Sequence, residues 1–187
     1  MIRKKNIESS NCGLMIGRFQ PFHKGHLELA SQIYKENKKV IIVIGSAQFN
    51  YIYKDPFTAG ERIRMIHETI LETKDLDISK FHIIPISNIE NNSCWFSNLR
   101  SWVPTFNTLY SGNEFVINLL KKENIQVKKP NFKDKKKYNG ENIRKLIINN
   151  GKWEYLVPSA VKKIILEIEG IERIKVVANS DSLPHKW

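Results

Sequence analysis

Apolar residues in this chain follow two rhythms. "GLMIG" (Gly13–Gly17) and "VIIVIG" (Val40–Gly45) are short, continuous and end in glycine. Runs of that kind, without polar alternation, predict strands buried on both faces. "FHIIPI" (Phe81–Ile86) and "FNTLY" (Phe106–Tyr110) predict two more strands, and "IQVKK" (Ile125–Lys129) an edge strand. Between these runs the apolar spacing changes to three and four, the period of a helix with one buried face. It predicts helices from about Gly25 to Glu36, after Thr58, near Ser93–Val103 and over Glu114–Lys122. In the second helix Ile63, Ile66, Ile70 and Leu71 form the expected buried face, and Thr58 with Glu61 makes a capping box. A fifth helix runs from near Gly140 to Gly151, a glycine suited to end it. A sixth opens at Pro158, a good first helical residue, and ends at Gly170, with a short last helix around Ile171–Ala178.

Strand–helix alternation predicts an α/β fold. The expectation is a Rossmann-like, doubly wound parallel sheet of about five strands, with helices on both faces and a small helical C-terminus from about residue 152. Such sheets bind ligands beyond the carboxyl ends of their strands, where strand order reverses. "GSAQ" (Gly45–Gln48) and the residues after Gly17 both lie at strand ends, so they are expected to face one crevice.

Length and charge narrow the picture. The 187 residues suit one domain, read as 12–187, with residues 1–11 an extra mobile segment. No apolar run approaches the roughly 18 residues of a membrane span. The N-terminus has no apolar core of the signal-peptide kind. Cys12 and Cys94 have no metal-ligand spacing, and a cytoplasmic, reduced setting is the simplest reading. Net charge is +11, which calls for an anionic partner: nucleic acid, a membrane surface or a polyphosphate. Ten Lys or Arg lie between Lys121 and Lys145 against three acids, although solvated surface is the default for any one lysine.

The candidate chemistry sits in "IGRFQPFHKGH" (Ile16–His26). His23 precedes the first helix and His26 lies in its first turn. Helix N-termini present unpaired N–H groups and the positive end of the dipole, a ready phosphate site. Gly25 lets an anion approach the backbone, Pro21 stiffens the loop, and Arg18 adds a planar fork for phosphate. Two imidazoles here can donate to phosphoryl oxygens. H-x-x-H lacks the i, i+4 spacing of a helical zinc pair, and no Cys or Glu nearby completes a ligand set.

"GRFQPFHKGH" resembles the G-x-F-x-P-x-H-x-G-H signature of the nucleotidyltransferase superfamily. "GSAQ…KDPFTAGER" (Gly45–Arg62), "NIENNSCW" (Asn88–Trp95), "YSGN" (Tyr110–Asn113), "YNGENIRKLI" (Tyr138–Ile147) and "GIERIK" (Gly170–Lys175) follow in the order found in archaeal-type nicotinamide-nucleotide adenylyltransferases. The resemblance covers almost everything after Asn11. It implies transfer of the adenylyl group of ATP to nicotinamide mononucleotide, giving NAD+ and pyrophosphate, with Mg²⁺ carried mainly on the ATP phosphates. It also implies a hexamer and no membrane partner. His23, His26 and Arg144 take the catalytic positions. Gly17, Arg18, Phe19, Gly25, Gly112, Asn113, Tyr138, Asn139, Gly140 and Ile143 fall to ATP. Gln20, Lys54, Ile89, Asn92 and Trp95 fall to nicotinamide mononucleotide. Three features depart from the family pattern. Asn139-Gly140-Glu141-Asn142 replaces a Ser/Thr-rich turn, Lys54 stands where some relatives carry Arg, and Asn88 where Asp is common. Acceptors such as nicotinate mononucleotide, phosphopantetheine or flavin mononucleotide, or a basic nucleic-acid-binding protein, are the alternatives.

Overall fold

The computed structural model describes residues 11–120, 123, 125–130 and 137–180. Five parallel strands form one sheet: β1 (Cys12–Gly17), β2 (Lys39–Ile44), β3 (Phe81–Pro85), β4 (Thr108–Tyr110) and β5 (Gln126–Lys128), in the order β3-β2-β1-β4-β5. Met15 of β1 registers with Ile42 of β2 on one side and Tyr110 of β4 on the other. Strand order reverses between β1 and β4, so the switch point lies beside the end of the first strand.

Seven helices flank the described sheet: α1 (Lys24–Glu36), α2 (Ala59–Glu72), α3 (Trp95–Trp102), α4 (Glu114–Leu119), α5 (Gly140–Ile148), α6 (Ser159–Glu167) and α7 (Gly170–Ala178). The pleat of the strands divides the core in two. Met15, Val40, Ile42 and Ile44 pack with α1, α2, α5, α6 and α7. Leu14, Ile41 and Val43 pack with Phe96 and Leu99 of α3 and Val116 of α4.

Several boundaries differ from the periodicity reading. The third helix starts as a 3-10 turn over Asn92–Cys94 before α3. The expected Lys121–Lys122 end of the fourth helix, residues 1–10, and residues 124 and 131–136 of the lysine-rich stretch lie outside the described residues. Gly151 does not end α5: Asn150 takes the left-handed conformation (φ 52°), and the Gly151 N–H donates to the Leu146 carbonyl at 2.8 Å. Pro158 is the N-cap of α6 rather than its first helical residue. Gly170 opens α7 instead of closing α6, and a Cβ there would lie 2.9 Å from the Phe57 ring and 3.0 Å from the Ile165 carbonyl. The buried face of α2 is Arg62, Met65, Ile66, Thr69 and Ile70, while Leu71 is half exposed.

Candidate active site

The crevice is built from strand ends inward. The Gly45 N–H donates to the Gly17 carbonyl at 2.9 Å, joining the ends of β1 and β2. Arg62 reaches the same place from α2, fully buried. Its guanidinium donates to the carbonyls of Thr58, Arg18, Gly45 and Ser46 at 3.0–3.3 Å. One side chain thus satisfies carbonyls of both strand-end loops and of the α2 N-cap. The Gln20 amide does the same for the next turn, giving to the Phe57 carbonyl (2.9 Å) and accepting from the Phe57 N–H (3.0 Å). Phe19 sits between them with φ 52°, its ring where a Gly17 side chain would be. The Gln20–Pro21 peptide bond is cis.

His23 is the N-cap of α1 and His26 the third residue of that helix. Each ring Nδ1 accepts from the other residue's backbone N–H at 3.3 Å, and the rings stack with centroids 3.5 Å apart. A backbone N–H only donates, so each Nδ1 carries the lone pair and each neutral ring holds its proton on Nε2. The capping box therefore fixes both tautomers. Burial pushes the His23 pKa down to about 4. Burial first, and the neighbouring His23 second, hold His26 well below its ordinary value. Phe19 meets the His26 ring edge-on at 4.7 Å and Phe22 stacks on it at 5.5 Å. At neutral pH the pair is two uncharged Nε2–H donors.

These donors line a cleft of about 400 Å³ together with Arg18, Phe19, Gln20, Tyr138, Asn139, Gly140, Glu141 and Arg144. The first turn of α5 thus faces the first turn of α1. A Cβ on Gly140 would lie 2.9 Å from the Gln20 carbonyl, and one on Gly25 2.9 Å from Tyr138 Cβ. Both glycines let the two helix starts approach, and at Gly25 the freed space is taken by Tyr138. Arg144 is buried, donates to the Gln20 carbonyl at 2.6 Å, and has its pKa lowered first by burial. Asn139 caps α5 by accepting from the Glu141 N–H at 2.8 Å, so that amide is already used. The Glu141 carboxylate is drawn to Lys145, 2.8 Å away, an interaction that lowers its pKa.

A second hollow of about 440 Å³ shares His26 and is walled by Met15, Ile16, Leu29, Tyr110, Ser111, Gly112, Asn113, Glu114 and Pro130, at the switch point. On the other side of β1 lies a hollow of about 30 Å³ between Ile16, Gly45, Ile86, Ser87, Asn88, Trp95, Asn98 and Leu99. Of the residues that the resemblance assigns to the acceptor, Trp95 walls this hollow. Ile89 lies outside its walls, and Asn92 stands exposed in the 3-10 turn. Lys54 is exposed at the tip of the β2–α2 connection, and Ile143 is fully buried on the inner face of α5. Asn98 and Arg62 were not singled out by residue type. Arg62 had a signal: it occupies the buried stripe of α2, where an arginine must find internal acceptors. Among the described residues no three His, Cys, Asp or Glu side chains cluster as metal ligands, and no helix is long and apolar enough to cross a membrane.

A 3-2-1-4-5 parallel sheet whose first helix starts on a pair of mutually capping histidines is the framework of a nucleotidyltransferase, and residues 14–154 match the cytidylyltransferase-like family. Similar proteins narrow this further. A nicotinamide-nucleotide adenylyltransferase of Caldivirga maquilingensis is 46% identical over 176 residues, 94% of this chain and 98% of its own length. Those of Pyrobaculum arsenaticum (44%, 94% of this chain, 98% of its own) and Methanococcus maripaludis (46%, 89% and 95%) are similar to the same extent. The chain belongs to the nicotinamide-nucleotide adenylyltransferase family. A bifunctional NMN adenylyltransferase/ADP ribose pyrophosphatase from Francisella tularensis, solved with AMP and a manganese ion, shares the fold at 20% identity and TM-score 0.72. The match covers 91% of this chain and 53% of that one.

Proposed function

We propose that this protein makes NAD+ by transferring the adenylyl group of ATP to nicotinamide mononucleotide. The observation that carries the reading is the cleft between the α1 and α5 starts, where the His23 and His26 imidazoles and the Arg18 and Arg144 guanidiniums surround one volume. Each cationic or N–H group there suits a phosphoryl oxygen, and the triphosphate of ATP fits their number. The adenosine then occupies the hollow past His26, against Gly112 and Asn113. The acceptor approaches from the β2–β3 side. The hollow at Trp95 is too small to enclose an aromatic ring, so the nicotinamide lies against Trp95, with the Asn88 and Asn98 amides in reach of its carboxamide.

The phosphate of the mononucleotide is already an anion at neutral pH, with a second pKa near 6. It attacks the α-phosphorus, and pyrophosphate leaves in line. No protein base and no covalent intermediate are required. Catalysis is positioning plus stabilisation of charge on the transferred group. The neutral Nε2–H groups donate to that charge, and Arg144 holds the departing phosphates. A divalent cation, Mg²⁺ in the ordinary case, arrives chelated by ATP as part of the substrate.

The test is transfer of label from [α-³²P]ATP with Mg²⁺ to a panel of acceptors: nicotinamide mononucleotide, its acid form, phosphopantetheine and flavin mononucleotide. Label in NAD+ is the expected result. Transfer only to one of the last two acceptors overturns the reading.

A further inference from the structure

The β2–α2 connection makes a tight turn beside Arg18 and Arg144. The Asp55 N–H donates to the Ile52 carbonyl at 3.0 Å and the Ile52 N–H to the Asp55 carbonyl at 3.5 Å, with Tyr53 and Lys54 at the tip. Lys54 faces solvent, but its neighbours turn inward. Asp55 is 4% exposed, and its Oδ2 lies 3.5 Å from Arg18 Nη1. Its Oδ1 is buried and has no hydrogen-bond partner among the described residues. The Tyr53 ring lies 5.4 Å from the guanidinium carbon of Arg144, whose Nε is also buried without a partner among the described residues. The two guanidiniums that line the cleft are each met by a side chain of this one turn.

A buried carboxylate with an unsatisfied oxygen is costly and calls for an explanation. Here the surrounding positive charge supplies one. Asp55 touches Arg18, and its charge also acts on Arg62 and Arg144. Arg18 and Arg144 carry like charges on the walls of one cleft and repel each other. The Arg18 side chain is 50% exposed, so without an anchor it is free to leave the cleft for water.

We propose that Asp55 and Tyr53 are positioning residues that hold Arg18 and Arg144 apart and aimed into the cleft before a polyphosphate arrives. The proposal rests on the cleft being the triphosphate site. Preorganisation spares the binding step the entropy of ordering Arg18. A pure charge argument gives the opposite sign: deleting the Asp55 anion makes the cleft more positive and tightens polyphosphate. The two accounts therefore separate in one measurement.

That measurement is calorimetric binding of inorganic tripolyphosphate to the full chain and its variants. Asp55→Asn is expected to weaken binding roughly fivefold, and to cause no further loss in an Arg18→Gln background, as a residue acting through Arg18 must. Tyr53→Leu is expected to weaken binding by a similar factor, while Tyr53→Phe, which keeps the ring face, binds like the parent. Unchanged or tighter binding by Asp55→Asn overturns the proposal, as does an equal loss in the Arg18→Gln background. If Asp55→Asn does not fold, equal binding by Tyr53→Leu and Tyr53→Phe overturns it instead. Failure of the parent protein to bind tripolyphosphate overturns the reading of the cleft itself.

Discussion

Mild acid should weaken this fold through His23. Its pKa drops from an ordinary 6.5 to about 4 in the folded chain because burial opposes the charged ring. The same ring must keep Nδ1 unprotonated to cap α1. The unfolded chain therefore binds a proton between pH 6.5 and about 4 that the folded chain refuses. Stability is full above the unfolded value and is lost as pH falls towards the folded one. At pH 5 the linkage comes to about 2 kcal/mol, against about 0.2 kcal/mol at pH 7, from 1.36 kcal/mol per pKa unit. His26 adds loss of the same sign. The comparison that isolates the effect is His23→Asn. Asparagine is a preferred N-cap and cannot titrate, so it keeps the cap and removes the proton. Urea denaturation of both proteins at pH 7 and pH 5 should show the parent losing about 2 kcal/mol more than the variant over that interval. Parallel pH dependences would refute the buried, cap-locked imidazole.

Other predictions follow from single contacts. His26→Ala should lower turnover about 10²-fold or more by removing a charge-stabilising donor, while losing the reciprocal cap costs about 1 kcal/mol in urea melts; near-normal turnover would contradict its role. Arg62→Met leaves up to four carbonyls without their donor and should cost about 3 kcal/mol or more by the same melts. Thr58→Ala removes the capping box of α2 and should cost about 1 kcal/mol with little change in catalysis. Gly140→Ala places a Cβ 2.9 Å from the Gln20 carbonyl, which forces the α5 start away from His23 and His26. Its KM for ATP should rise at least tenfold while the protein stays folded.

Much of this molecule was legible because its local signals agree. The continuous apolar runs of β1 and β2 admit no exposed face, and each is centred on residues that are wholly buried. The place of the histidine pair at a helix start was legible from the sequence. What made it specific, the reciprocal Nδ1 caps that fix both tautomers, depends on a three-residue backbone geometry that spacing alone does not give. Strand order was not legible, since pairing β1 with β4 joins residues about a hundred positions apart. Glycines misled at two helix boundaries. Gly170 was read as a stop but is required by packing against Phe57, and the left-handed position after α5 belongs to Asn150. Around Trp95 the sequence reading named Asn92 as its partner, whereas the side chains that wall the Trp95 hollow with it include Asn88 and Asn98. Side chains one turn apart on α3 share a face, and Asn98 follows Trp95 by three.

The central claim is a direct in-line transfer of AMP from ATP to nicotinamide mononucleotide, assisted by the fixed Nε2–H donors and flanking arginines of one cleft. The stereochemical course at the α-phosphorus tests it most directly. With one diastereomer of ATPαS, Mg²⁺ and nicotinamide mononucleotide, a single displacement predicts a thio-dinucleotide with inverted configuration at that phosphorus. Retention would show two displacements through an adenylylated enzyme, and would contradict the account.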